Sequence, residues 1–223
     1  MNSNHNLFEF DKSLNIDFLI GTDEAGRGPA SGGVFASAVY INNFDIEKDL
    51  SKLNDSKKLS AKTREELYDV ILNNTINSTV CVEVAEIEKY NILNCSLKAM
   101  KLACENVISN IIIDEVNNFN YKLLTIVDGN QLIRNYTYPQ KWVKKGDATS
   151  ASIAGASILA KVSRDRYMQK LHEEFPQYNW AKNAGYLTKE HIEAIKKYGP
   201  CKYHRLSFLK NILSEQPKQM SLL

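Results

Sequence analysis

Two adjacent acids, Asp23 and Glu24, follow the apolar run Phe18-Leu19-Ile20, and the turn Gly26-Arg27-Gly28-Pro29 comes directly after them. Neighbouring carboxylates at the end of a buried strand repel each other in a low dielectric, so the pair calls for a cation. A divalent metal is the natural candidate. Glycines let a backbone come close to a ligand, and an arginine offers a fork that matches a phosphate. Two further acids share this context: Asp128 ends the apolar run 123–127, and Asp147 follows the short run 141–143. Strand ends of one sheet lie side by side, so Asp23, Glu24, Asp128 and Asp147 can converge. A carboxylate cluster without His or Cys partners suits Mg²⁺ or Mn²⁺ rather than zinc. Two such ions can clamp the attacking and leaving oxygens of a phosphodiester and activate a water. A lone Asp-Glu pair also occurs in solvated turns; four strand-end acids beside a Gly-Arg-Gly turn tip the reading to metal chemistry.

Other loops carry weaker signals. In Asn54-Asp55-Ser56-Lys57-Lys58-Leu59-Ser60, the side chains of Asn54, Ser56 and Lys57 suit phosphate oxygens, whereas Asp55 reads as a local cap outside the metal cluster. Tyr186, in a Gly-containing loop beside Lys182, can stack on a sugar or base, or simply cover the edge of the core. His172 and His191 read as surface or packing residues. His204 and Arg205 either touch a polynucleotide backbone or form an ion pair. Asp165 is expected to pair with Arg164 and Arg166.

These groups need a scaffold. Strands are expected over 18–22, 34–41, 79–85, 123–127 and 141–143. A helix capped by Ser60 should run to about residue 72. Helical material over 87–110 should break around 91–94, and one long helix should fill 149–171. Further helical segments should follow Thr188 and Leu206. This order predicts an α/β or α+β domain with a mixed sheet and a helical C-terminal part. The chain's 223 residues fit one domain. A hydrophobic content of 43% and a charged content of 24% are ordinary for a globular protein. A net charge of +2 rules out a whole-chain polybasic route to nucleic acid, leaving local patches. Cys81, Cys95, Cys104 and Cys201 show no metal or disulfide spacing and are expected as free thiols in a reducing cytoplasm. No apolar run reaches the length of a membrane span, and the polar start, 1–16, reads as a frayed lead.

Taken in order, the motifs resemble those of the ribonuclease HII family. Asp-Glu-Ala-Gly-Arg-Gly-Pro at 23–29, Asn-Asp-Ser-Lys-Lys-Leu-Ser at 54–60, Val-Asp-Gly-Asn at 127–130 and Lys-Gly-Asp at 145–147 match its signatures. Ser-Ile-Ala-Gly-Ala-Ser-Ile-Leu-Ala-Lys-Val at 152–162, Arg-Asp-Arg at 164–166, Gly-Tyr-Leu-Thr at 185–188 and His-Arg-Leu-Ser-Phe at 204–208 complete the series. Each motif alone is weak; the ordered set over residues 17–210 is specific. The resemblance implies a ribonuclease H-like fold, a mixed central sheet flanked by helices with a small helical C-terminal part. It implies a metal-dependent endonuclease, using two Mn²⁺ or Mg²⁺ ions. Such an enzyme cuts the RNA strand of RNA–DNA hybrids and incises 5′ of a single ribonucleotide in duplex DNA, leaving a 3′-hydroxyl and a 5′-phosphate. The family's metal-site acids fall on Asp23, Glu24, Asp128 and Asp147. Its reader of the ribose 2′-hydroxyl falls on Gly26, Arg27 and Gly28, and its junction tyrosine on Tyr186. The sister family, ribonuclease HIII, usually lacks the Gly-Arg-Gly element and carries an extra N-terminal domain. The chain departs from the family pattern at Ala30-Ser31-Gly32-Gly33, where Leu-Ala-Gly-Pro is usual, and at Ala184, where a lysine is common.

The tail Gln219-Met220-Ser221-Leu222-Leu223 resembles the short peptide by which bacterial repair proteins dock on the sliding clamp, with Gln219, Met220, Leu222 and Leu223 as contacts. Residues 211–223 are therefore expected as a tail, and the protein as a monomer. The rival readings are a ribonuclease H-like nuclease limited to long hybrids, a non-catalytic hybrid-binding or clamp-adaptor protein, and a phosphatase-like metal enzyme.

Overall fold

The computed structural model describes residues 5–114 and 121–214. Helix α1 spans His5–Ser13. Strand β1 spans Phe18–Ala25 and β2 Val34–Tyr40, with helix α2 at Ala61–Asn74 and strand β3 at Ile76–Val82. Helices α3, Val84–Tyr90, and α4, Ile92–Asp114, precede strands β4, Leu123–Asp128, and β5, Gln140–Val143. Helix α5 covers Ala151–Glu174, and the short α6, Trp180–Asn183, leads to α7, Lys189–Tyr198, and α8, Lys210–Ser214. The sheet order is β3-β2-β1-β4-β5. β2 runs antiparallel to β1 and β3, whereas β1, β4 and β5 are parallel, so the sheet is mixed as expected.

Helix α4 covers one face of the sheet. Its Met100, Ala103, Cys104, Val107, Ile108 and Ile111 recur at helical spacing and are all buried with Ile20, Ala36 and Val127. The other face holds α5, whose first ten residues, Ala151 to Ala160, are all buried. Small residues there let the helix approach the strand closely. Gly21, in mid-strand, is required by that approach: a Cβ would lie 2.3 Å from the Ser152 backbone carbon and 2.4 Å from the Ile153 nitrogen. Gly21→Ala is expected to cost about 3 kcal/mol, the upper range for overpacking, and urea unfolding at neutral pH checks it. An unchanged midpoint would mean that the helix can move off the sheet freely.

The caps match the sequence reading: Ser60 Oγ accepts from Thr63 N at 3.1 Å and opens α2. The break between α3 and α4 falls at Asn91, whose φ of 65° is left-handed. Several boundaries differ. The third strand runs over Ile76–Val82 rather than 79–85, because β2 pairs with it from Tyr40↔Ile76 to Val34↔Val82. Alternation alone does not set where the partner strand ends. The lead expected to fray carries α1, with Leu7 and Phe8 buried. Its Asp11 carboxylate accepts from Ser152 N at 2.8 Å and Ser152 Oγ at 2.9 Å, occupying the N-terminus of α5. Burial pushes the Asp11 carboxyl up to about 6. Helix α8 likewise continues past residue 210, with Leu209 buried beside half-buried Ile212 and Leu213. No helix among the described residues is long and apolar enough to cross a membrane.

Candidate active site

Asp23 and Glu24 lie in the last residues of β1, and Asp128 closes β4. The parallel register pairs Thr22 with Val127, which brings Asp128 alongside Asp23. Asp128 Oδ1 accepts from Gly146 N at 2.6 Å and Asp147 N at 3.4 Å, so it holds the tight turn that carries Asp147. The turn is closely packed: a Cβ on Gly146 would meet Ile153 Cδ1 at 2.5 Å and Asp128 Oδ1 at 3.0 Å. Asp23, Glu24 and Asp128 therefore share one end of the sheet, and this turn sets Asp147 beside Asp128.

Their charges are frustrated. Burial, then the Glu24 and Asp128 charges, hold the Asp23 carboxyl well above its ordinary range, although Ser157 and the Glu24 amide donate to it. Burial raises Glu24 too, against the pull of Arg27, whose guanidinium lies 3.2 Å away. Burial and the Asp128 charge raise Asp147, and Asp55 adds to the effect through its charge and a hydrogen bond. Asp55 does cap locally, accepting from Lys57 N at 2.9 Å, but it also stands beside Asp147, closer to the cluster than its sequence context indicates. Lys57 faces the acids: burial draws its pKa down, and Asp147 and Asp23 more than restore it.

Among the described residues, no three His, Cys, Asp or Glu side chains are gathered tightly enough to hold an ion as they stand. The donor set nevertheless fits Mg²⁺ or Mn²⁺. These are hard oxygen ligands, and Mg²⁺ characteristically takes only one or two carboxylates and completes its shell with water and substrate phosphate.

A cleft of about 360 Å³ opens over this cluster, lined by Asp23, Glu24 and Asp128 and on its other walls by Arg27, Lys57 and Tyr186. Gly26, Gly28 and Ser56 also border it. Asn54 does not: its Oδ1 accepts from Asp55 N at 2.8 Å, and the residue stays in the loop. The tail residues Gln219, Met220, Leu222 and Leu223 lie outside the described residues.

The Gly26-Arg27-Gly28 turn and Tyr186 meet. Gly26 has φ 99°, and a Cβ there would meet Arg164 Nε at 2.2 Å. A Cβ on Gly28 would lie 3.4 Å from Tyr186 Cε1, so the ring rests against this glycine, half open to solvent. Two buried arginines set the loop behind the turn. Arg205, fully buried, donates to the carbonyls of Gly26 at 2.8 Å, Arg27 at 3.3 Å, Pro29 at 2.7 Å, Gly32 at 2.7 Å and Gly33 at 3.1 Å. Burial and the Arg164 charge push its pKa down to about 10. Arg164 donates to Ser31 O and Ala184 O, both at 3.1 Å, tying the loop to the segment before Tyr186. Arg205 thus neither salt-bridges nor faces solvent, and Asp165 pairs with Lys161 rather than with its flanking arginines. Ser157, Lys161 and Arg164 all line the cleft; their spacing on one face of α5 is the signal that could have found them.

Beneath Tyr186, the hydrogen bonds assign both histidine tautomers. His191 Nδ1 donates to Tyr186 O at 2.9 Å, while its Nε2 accepts from Trp180 Nε1 and from His204 Nε2, each at 3.1 Å. His204 Nδ1 accepts from Cys201 N at 3.0 Å. Protonating either ring sets donor against donor. Burial, then the His191 charge, lowers His204 to about 4 from an ordinary 6.5. The unfolded chain therefore takes up the proton first, and stability falls as pH drops from 6.5 towards 4. The loss at this site is expected to reach about 3 kcal/mol. Urea midpoints of the protein and of His204→Asn at pH values across this window test it; parallel curves would overturn the assignment.

Comparisons with known proteins point to one family. A family model described as ribonuclease HII matches residues 20–211. A ribonuclease HII of Caldicellulosiruptor bescii is 44% identical over 218 residues, covering 96% of this chain and 98% of its own. The ribonuclease HII of Archaeoglobus fulgidus, solved as a complex with PCNA, superposes with a TM-score of 0.67 at 22% identity, covering 92% of this chain and 100% of that one. Bst ribonuclease HIII, solved with Mn²⁺, gives 0.64 at 16% identity, covering 95% of this chain and 72% of that one. At these identities the two structures show the shared fold alone.

Proposed function

The chain belongs to the ribonuclease HII family, and from that premise we propose how its cleft selects and cuts its substrate. It is an endonucleolytic ribonuclease H acting on RNA–DNA hybrids, so the non-catalytic adaptor reading falls away. The finer reading is incision 5′ of a single ribonucleotide in duplex DNA, leaving a 3′-hydroxyl and a 5′-phosphate. The observation that carries it is the Tyr186 ring resting on Gly28, beside the acids, in a loop whose carbonyls Arg205 draws inward.

Asp23, Glu24, Asp128 and Asp147 would hold two Mg²⁺ or Mn²⁺ ions. When bound, such ions stabilise charge on the phosphodiester and lower the pKa of an attacking water. The raised carboxyls of Asp23, Glu24 and Asp147 support this, since cations relieve their repulsion. Arg27 and the adjoining backbone read the ribose, because the 2′-hydroxyl alone separates RNA from DNA at one nucleotide. Tyr186 packs against the following deoxyribose, and Lys57 and Ser56 face the phosphates. The thiols at Cys81, Cys95, Cys104 and Cys201 are free and suit work in the reducing cytoplasm.

Cleavage of a labelled DNA duplex with one ribonucleotide, in Mg²⁺ or Mn²⁺ and with a chelator control, tests this reading. A single metal-dependent cut 5′ of the ribonucleotide is expected. Cutting of a long hybrid without that cut would leave the hybrid nuclease and remove the junction reader. The tail 219–223 adds a second element, docking on a bacterial sliding clamp. Deleting it is expected to abolish co-elution with the clamp without changing the intrinsic cleavage rate; unchanged co-elution would end the idea.

A further inference from the structure

Between the acids Asp128 and Asp147 the chain runs from Gly129 to Gly146 without one Asp or Glu, yet it carries Arg134, Lys141, Lys144 and Lys145. All four cations are exposed, and among the described residues none forms an ion pair; Arg134 donates only to the neutral Asn94 Oδ1. Elsewhere on the surface many lysines are matched, as Lys98 is by Glu86 and Lys182 by Glu190. The segment also holds Trp142 on β5, the edge strand, with 48% of its surface exposed. A large aromatic left open on an edge strand among unpaired lysines is a cost that a purely structural role does not explain.

The segment adjoins the cleft. β5 runs parallel to β4, Asp128 pairs in register with Val143, and Gly129 N donates to Val143 O at 3.1 Å. Lys144, Lys145 and Gly146 lead directly into Asp147. A polyanion entering the cleft meets a cluster of carboxylates, so attraction must come from flanking cations. Duplex nucleic acid carries roughly one charge per 1.7 Å of axis and is matched by a row of lysines. An aromatic face adds sequence-independent contact.

We propose that the β5 edge, through Lys141, Trp142 and Lys144, is a docking surface for the sugar-phosphate backbone of the substrate duplex to one side of the cut. This rests on the nuclease reading above. It assigns these residues to affinity and leaves the chemistry to the acids.

Trp142 is its own reporter. The chain has two tryptophans, and Trp180 is fully buried. Titrating an RNA–DNA hybrid into the protein in chelator should change tryptophan emission, and Trp142→Phe should abolish the change while binding persists. The double variant Lys141→Gln/Lys144→Gln should weaken binding about tenfold at low salt and reduce the slope of log affinity against log salt by about 1.8, as two lost phosphate contacts require. It should raise KM and leave kcat unchanged. Trimming one arm of the hybrid should erase the difference between variant and parent; trimming the other should not. An unaltered affinity and salt slope, or an emission change that survives Trp142→Phe, would overturn the proposal. So would an emission change with protein concentration alone, which would mark the edge as a contact between two copies. Loss of cleavage by the unmodified protein would instead strike the nuclease reading, which this binding measurement does not use.

Discussion

Asp128→Asn is expected to keep its fold and its affinity for hybrid while losing cleavage by at least about 10³-fold, roughly 4 kcal/mol of transition-state stabilisation. The separation of the two effects follows from what each oxygen does. Asp128 Oδ1 accepts from Gly146 N at 2.6 Å, and a carboxamide oxygen can take that bond. The turn carrying Asp147 therefore stays in place. The negative charge goes, and with it one of the carboxylates proposed to hold a divalent cation. The Asp23 carboxyl, raised by burial, by Glu24 and by Asp128, loses one of its opponents, so the apo protein should be no less stable. Parallel measurement of kcat on a hybrid and of the thermal midpoint decides the matter. Cleavage near the parent rate would remove Asp128 from the chemistry; a collapsed midpoint would make its role structural.

Arg205→Lys should cost about 4 kcal/mol of stability and lower the thermal midpoint by about 10 °C, although charge is conserved. One guanidinium serves the carbonyls of Gly26, Arg27, Pro29, Gly32 and Gly33. An ammonium has three donors on one atom and cannot span that set, so buried carbonyls are left without partners. The local consequence is sharper than the global one. With its carbonyls released, the Gly26-Arg27-Gly28 turn no longer has a fixed orientation against Tyr186. Incision at a lone ribonucleotide should fall about tenfold more than cleavage of a long hybrid, measured well below the new midpoint. Equal loss on both substrates would mean that Arg205 supports the fold alone.

What could be read in advance was local. Strand-end acids, the cap at Ser60 and the left-handed break at Asn91 each depend on residues a few positions apart. The convergence of Asp23 with Asp128 needed only the rule that parallel neighbours share an end. The unread features are long-range. Arg205 meets carbonyls 172 to 179 residues earlier in the chain, and no periodicity announces such a contact. Asp11 reaches Ser152 across 141 residues, so a segment that looks merely polar becomes a docked helix. Lys161 outcompetes two arginines for Asp165 because those arginines have other partners elsewhere, Arg164 on loop carbonyls and Arg166 on Glu65. Ser157, Lys161 and Arg164 share one face of α5 by their spacing, but which way that face turns is set by the packing of a helix buried all round at its start.

The reach of Arg205 back to Gly26 has a consequence in time. A ribosome delivers the chain from its N-terminus, and Asp147, the last of the four acids, emerges well before Arg205. The growing protein therefore owns Asp23, Glu24, Asp128 and Asp147 before it owns the residue that shapes the Gly26-Arg27-Gly28 turn. Burial of that guanidinium against carbonyls of residues 26 to 33 means that this turn takes its final shape only after residue 205 has emerged.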